Sequence, residues 1–113
     1  MNTQEILNSL QDIDGYLASA YFETETNNLT KHSDSTYDIE IIISDIVTMI
    51  NLSIMTVNNA ILGELQFIQL NFDLGILSVA WHLEKKSIAM VLLETKGNVG
   101  LAKLALTKLI ETV

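Results

Sequence analysis

The chain has 113 residues, 49% of them apolar, with six lysines, no arginine, no cysteine, no proline and a net charge of −8. A chain of this length can bury a core without disulfides or a metal, and the lack of cysteine excludes both disulfides and thiolate chemistry. The lack of arginine excludes an arginine finger supplied by this chain.

The acidic residues are concentrated in the first part of the chain. Residues 1–45 hold nine carboxylates and one lysine. Such a surface repels phosphate backbones and anionic lipid, so we expect no nucleic acid as the principal partner and favour a protein with a basic patch. The uncharged run Ile46–Gly63 is interrupted by polar side chains, which disfavours membrane insertion, and the opening residues lack the basic and apolar pattern expected of a secretory signal. These features predict a cytoplasmic protein.

In chain order, the first half begins with a short amphipathic helix predicted over Thr3–Leu10, whose apolar face Ile13 continues. Asp14-Gly15 breaks this pattern. The aromatic and small residues of Tyr16–Glu23 predict a strand, and after a polar turn Leu29–Ser33 is predicted to return as a second, short strand.

The segment Ser35–Leu62 predicts a long helix. It contains β-branched isoleucines that suit a strand, but it is too long for one strand and has no internal turn. Ser35-x-x-Asp38 forms a weak capping box, and Gly63 is placed to end the helix. Glu40, Ser44, Thr48 and Asn51 form one polar stripe on an otherwise apolar helix. Because a domain of this size is expected to have one core, we infer that a second subunit covers part of this helix.

The second half predicts three strands and a helix: Leu65–Phe72, Ile76–Leu83, Ile88–Leu93 and Val99–Thr112. In the middle strand Leu77, Val79, Trp81 and Leu83 are expected to face the core, and Ser78, Ala80, His82 and Glu84 a more polar side. Ile88–Leu93 is apolar on both faces, as in an interior strand. The order α-β-β-α-β-β-β-α predicts one α+β domain over residues 1–113, an α/β sandwich with a five-stranded antiparallel sheet.

Few residues suggest chemistry. His32 and His82 lack neighbouring ligand types, and no nucleophile or dinucleotide motif occurs, so we expect no catalytic residues, no metal and no cofactor. Gly97-x-x-Gly100 between lysines resembles a phosphate-clamping loop of KH domains. The acidic chain disfavours that function, and Gly97 for a turn with Asn98 for a helix cap explains the same residues. Trp81 and Phe67 are interpreted as core or interface anchors.

Two short motifs and the order of elements carry a family resemblance. Ile13-Asp14-Gly15 precedes the first strand, and Asn98-x-Gly100-Leu101 followed by Leu106 opens the last helix. With these, nearly the whole chain resembles the roadblock family of dynein light chain type domains. Members of that family dimerise by pairing their third strands, with the two long helices side by side. By this resemblance the third strand is Leu65–Phe72, the long helix is Tyr37–Leu62, and the dimer interface contains Leu65, Phe67, Gln69, Ile46 and Ile50.

The resemblance also implies a function. Many members pair with a Ras-like small GTPase as its activator or effector, others act as scaffolds in motor or signalling complexes, and they are not enzymes by themselves. It therefore implies a homodimer that binds such a GTPase through an exposed helix ridge formed by Glu40, Ser44, Thr48, Asn51 and Met55. The alternatives are a scaffold without effect on GTP turnover, a KH-like RNA-binding domain, and an enzyme with its site in a dimer cleft.

Overall fold

The computed structural model describes residues 3–33, 36–60, 67–82 and 86–112. These residues form three α-helices and five strands, which follow one another in the predicted order. They are α1 (Thr3–Ser9, continued by a 3₁₀ turn over Leu10–Asp12), β1 (Tyr16–Glu23), β2 (Asn28–Ser33), α2 (Ile39–Ala60), β3 (Phe67–Phe72), β4 (Gly75–His82), β5 (Ser87–Leu93) and α3 (Val99–Thr112). The bounds of β1 and α3 are the predicted ones.

The five strands form one antiparallel sheet in the order β2-β1-β5-β4-β3. Strand β5 lies at the centre, which confirms the prediction of an interior strand. Strands β2 and β3 are the two edges. Strands β1 and β2 form a regular hairpin around a turn at residues 24–27, in which Asn27 adopts a positive φ of 56°.

The sheet buries apolar side chains on both faces, so the expectation of one core was wrong. On one face α1 and α3 pack over Tyr21, Ala80 and Val91. On the other face α2 packs over Ala20, Val79 and Trp81. Because α2 has a core of its own beneath it, its apolar character is explained in part without a second subunit.

Two residues of the polar side predicted for β4 are also buried, whereas His82 is half-buried, and Leu83 and Glu84 lie outside the described residues. Ser78 and Ala80 are 0% and 3% exposed and lie beneath α3, while Trp81 is buried under α2 as predicted. Small side chains let a helix approach the sheet closely, so serine and alanine here mark a helix-packing surface rather than a solvated one.

Helix α2 begins differently from the predicted capping box. Asp38 itself is the capping residue, because its Oδ1 accepts the backbone N–H of Ile41 at 3.2 Å. Ser35 and Gly63, the predicted start and stop signals, lie outside the described residues.

The two motifs that carry the resemblance meet in space. The backbone N–H of Asn98 donates to the carbonyl of Asp14 at 3.1 Å, and the N–H of Glu94 donates to that of Gly15 at 2.8 Å. Gly15 has a φ of +86°, and a Cβ there would lie 2.7 Å from the Cα of Gly97. Both glycines are therefore required for the close approach of the β1 start to the α3 start.

Candidate protein-binding surface

Helix α2 covers the middle of its sheet face with a row of buried isoleucines: Ile39, Ile43, Ile46 and Ile50. Ile46 and Ile50, placed by the resemblance in the dimer interface, are 3% and 5% exposed. They fill the core between α2 and the chain's own sheet, so neither side chain has surface left to offer a partner.

The polar stripe of α2 is exposed, and we refer to Glu40, Ser44, Thr48 and Asn51 as the ridge. Thr48 Oγ1 donates to the carbonyl of Ser44 at 3.2 Å, a bond within the helix. Met55 lies one turn further along α2, and its side chain is outside the described residues. Ile41 and Leu52 stand beside the ridge at 59% and 61% exposure, an apolar component that the polar spacing did not indicate.

An open groove separates the ridge from the β1–β2 hairpin. Its volume is about 670 Å³, and we call it the hairpin groove. The hairpin supplies Phe22, Thr24, Asn27 and Leu29, and α2 supplies Glu40, Ile43, Ser44, Val47 and Thr48. Phe22, Leu29 and Val47 pack against the α2-side core, so the groove has an apolar floor and a polar rim.

Two ion pairs hold elements around this groove. Lys31 Nζ of β2 donates to Glu40 Oε1 of α2, and this hydrogen bond is the main cause that lowers the pKa of the Glu40 carboxyl. Lys86 Nζ lies 2.7 Å from Glu25 Oε1 and joins the β1–β2 and β4–β5 turns. Thr24 reinforces this junction, since its N–H and Oγ1 both donate to the carbonyl of Lys86.

The opposite flank of α2 faces the β3 edge across a second, apolar groove of about 390 Å³, the edge groove. Ile42, Asp45 and Met49 of α2 line it opposite Leu70, Phe72 and Leu74. Phe72 and Leu74 are 58% and 90% exposed, an unusual degree for residues of this type.

Side chains of β3 alternate between the two faces of the sheet. Ile68 and Leu70 pack on the α2 side, whereas Phe67 packs on the α3 side, where the ammonium of Lys103 lies 5.3 Å from its ring centroid. Gln69 is exposed and donates from Nε2 to Asn71 Oδ1 at 3.1 Å. Leu65, the remaining predicted interface residue, lies outside the described residues.

Among the described residues, the group that most resembles a catalytic cluster consists of Tyr16, Ser19 and His32, and its role is structural. Tyr16 Oη lies 2.8 Å from Ser19 Oγ and 3.1 Å from Nδ1 of His32. Ser19 is completely buried, and burial raises the pKa of the Tyr16 phenol. Because the Ser19 hydroxyl has no access to substrate, it cannot act as a nucleophile. The role of the cluster is to link β1 to β2 through the hydrogen bond between Tyr16 and His32.

The glycine loop before α3 uses its amides within the chain. Gly97 N–H donates to Glu94, Asn98 N–H to Asp14, and Val99 N–H to Gly97, all through backbone carbonyls. Asn98 Oδ1 caps α3 by accepting the N–H of Leu101 at 3.1 Å. These amides are not free to hold a phosphate, which favours the turn-and-cap explanation over a KH-like clamp.

Within the ranges that the structure describes, no three His, Cys, Asp or Glu side chains converge in a way that would hold a metal ion. None of the helices in those ranges is both long enough and apolar enough to cross a bilayer.

Similarity to known proteins is evident in structure. No family model matches the chain, and no curated protein matches it. A roadblock/LC7 domain from Streptomyces avermitilis superposes with a TM-score of 0.83 over 100% of this chain and 95% of its own, at 10% identity. MglC from Myxococcus xanthus superposes with a TM-score of 0.63 over 100% of both chains, at 13% identity. At such identities the agreement establishes the fold.

Proposed function

We propose that this chain, which has the roadblock/LC7 fold, is a non-catalytic, homodimeric domain. As the family resemblance implies, it binds and regulates a Ras-like small GTPase. The proposed location of the protein is the cytoplasm. The observation that carries the proposal is the division of α2 into two flanks, one bordering a free sheet edge and the other bordering the ridge and hairpin groove.

The first flank suits a second copy of the chain. Strand β3 ends the sheet, so its outer edge offers backbone groups that another β3 can pair with. The exposed apolar side chains of the edge groove lie beside that edge, and Phe72, Leu74 and Met49 would be covered by the partner's α2. We assign the contact to these residues and to Ile68 and Leu70, in place of the buried Ile46 and Ile50.

Dimerisation is tested by light scattering on the purified chain. We expect about twice the monomer mass of 12.6 kDa. Leu74→Lys, at the most exposed apolar position beside the edge, is expected to give monomers, whereas Leu104→Lys on the outer side of α3 is expected to stay dimeric. A wild-type chain that remains monomeric at high concentration would contradict this part of the proposal.

The second flank would remain accessible in such a dimer. The ridge points away from the edge groove, so its polar side chains are free to contact a partner from another family of proteins. Without arginine the chain has no finger to insert into a GTPase site. Any stimulation of hydrolysis would come from holding the partner's switch loops in their catalytic arrangement, which is a shift of population.

Capture from lysate of the source organism tests the partner class. The tagged chain is incubated with GDP in one arm and a non-hydrolysable GTP analogue in the other, and bound proteins are identified by mass spectrometry. We expect one Ras-like GTPase to be enriched in the GTP-analogue arm, and its direct binding is then measured with purified protein. A partner set that ignores the nucleotide would replace the regulatory proposal with the scaffold alternative.

The ridge is tested with the purified GTPase. The double substitution Glu40→Lys and Thr48→Lys is expected to abolish binding while leaving the dimer intact, because both side chains are exposed and neither contributes to a core. Unchanged affinity in a folded double variant would remove the ridge from the contact surface.

A further inference from the structure

We infer that the hairpin groove receives one segment of the GTPase partner, which inserts an apolar side chain and carries a lysine or arginine beside it. This inference rests on the proposed function. It places the decisive contact in the hairpin groove rather than on the ridge. It also specifies the chemistry of the partner segment that the groove binds.

The shape of the groove provides the first argument. Its floor is apolar, formed by Phe22, Leu29 and Val47, and each of these side chains is only half-buried in the chain itself. Covering them removes more apolar surface from water, whereas the rim of threonine, serine and asparagine supplies hydrogen bonds to a main chain passing over it. An open cleft of about 670 Å³ admits one or two side chains rather than a whole element.

Charge provides the second argument. Residues 22–48, which supply both walls, contain six carboxylates and one lysine. That lysine, Lys31, is already paired with Glu40, and Glu25 at the far end is paired with Lys86. Six carboxylates against one lysine give residues 22–48 a net charge of −5, so the groove lies in a negative field that attracts a cation beside the apolar anchor.

Rigidity of the walls provides the third argument. The Lys31–Glu40 pair links β2 to α2, and the Thr24–Lys86 bonds link the two turns beyond the groove. The main-chain hydrogen bonds of the hairpin are regular along its full register. The regular hairpin gives one wall a fixed main chain before binding, so less conformational entropy is lost there when a segment enters the groove.

The first experiment compares matched substitutions against the GTPase loaded with the GTP analogue. Val47→Phe fills the groove, and Leu104→Phe adds the same ring to the outer side of α3. We expect Val47→Phe to weaken binding about tenfold or more and Leu104→Phe to leave it within about twofold. Circular dichroism and light scattering verify that both variants keep the fold and the oligomeric state.

Charge at the rim is tested in both directions at one exposed position. Ser44→Glu is expected to tighten binding and Ser44→Lys to weaken it, with both changes shrinking as the NaCl concentration rises. The opposite order, or equal effects of the two substitutions, would overturn the basic character of the segment.

Cross-linking identifies the segment directly. The chain has no cysteine, so Thr26→Cys in the hairpin turn gives a single attachment point for a benzophenone maleimide, with Thr107→Cys on α3 as the matched control. We expect the first variant alone to cross-link to a GTPase peptide that contains an apolar residue next to lysine or arginine. Cross-links to another copy of this chain, or to an acidic peptide, would overturn the inference.

Failure of the inference is distinguishable from failure of the proposed function. If wild-type protein binds no small GTPase with either nucleotide, the proposed function is wrong and the inference falls with it. If wild type binds but Val47→Phe binds equally well, the groove is not used, and the proposed function stands on the ridge alone.

Discussion

The two faces of the sheet are built in opposite ways. Two helices, α1 and α3, close one face around a core in which Leu7, Leu10 and Leu106 have almost no exposed surface. A single helix, α2, lies across the other face and leaves a groove along each flank. The same sheet thus carries a face that is complete within the chain and a face that is incomplete.

This difference separates folding from recognition. The motifs at Gly15 and Gly97 belong to the closed face, where they fix the junction between β1 and α3. The residues proposed to bind belong to the open face, where a polar ridge and two grooves surround one helix. The parts of the sequence that identify the fold are therefore different from the parts that would select a partner.

The largest effect is expected from emptying the closed core. Leu106→Ala removes a side chain with no exposed surface and should lower the free energy of unfolding by about 2–5 kcal/mol. Leu104→Ala, on the same helix but 70% exposed, should change it by less than about 0.5 kcal/mol. Urea unfolding at one fixed protein concentration measures both. Similar losses in the two variants would mean that α3 is covered on its outer side as well.

A smaller effect is expected at the hydroxyl cluster that ties β1 to β2. Tyr16→Phe leaves the buried Ser19 Oγ without its partner and should lower the free energy of unfolding by about 1–3 kcal/mol. Tyr37→Phe is the control on the open face, since the described residues give the Tyr37 hydroxyl no hydrogen-bond partner. Equal stability of wild type and Tyr16→Phe would show that water replaces the lost hydrogen bond.

The helix caps allow the two faces to be compared by substitutions that should have a similar effect on the free energy of unfolding. Asp38→Ala removes the cap of α2 and Asn98→Ala that of α3, and each should lower the free energy of unfolding by about 1 kcal/mol. Their consequences for binding should differ. Asp38→Ala frays the turn that carries Glu40 and is expected to weaken GTPase binding, whereas Asn98→Ala is expected to leave it unchanged. The reverse result would assign the partner to the closed face.

The smallest effect concerns the ion pair at the end of the hairpin groove. The hydrogen bond from Lys31 lowers the pKa of Glu40 in the folded chain. A carboxyl with a lowered folded pKa stabilises the fold above its ordinary pKa, and this contribution is lost as the pH falls through the folded pKa. Both side chains are exposed, so the contribution is small and decreases with salt. NMR titration should show the Glu40 pKa returning toward its ordinary value in Lys31→Gln, and an unmoved pKa would contradict the pairing.

Sequence reasoning located the elements better than it oriented them. The aromatic and small residues of β1 and the wide apolar face of α3 predicted these two elements at their observed bounds. It could not decide which apolar stripe of α2 meets the sheet, since isoleucines occupy several sides of the helix. The family resemblance implies a dimer interface that contains Ile46 and Ile50, whereas these side chains cover the chain's own Val79 and Trp81.

No sequence pattern within a single helix or strand indicates the hairpin groove. Its walls come from β1, β2 and α2, and only the strand order brings Phe22 and Leu29 beside Val47. The ridge was predictable because four polar residues share one helical stripe. The cleft beside it was not, because a sequence pattern along one element contains no information about which neighbour stands across a gap.

The most direct test of the open face as the binding face is hydrogen–deuterium exchange of the dimer with and without the GTPase bound to a GTP analogue. We expect added protection over residues 39–53 of α2 and over the turn at residues 24–27, with residues 99–112 of α3 unchanged. Protection confined to α3, with α2 and the hairpin unaffected, would contradict it.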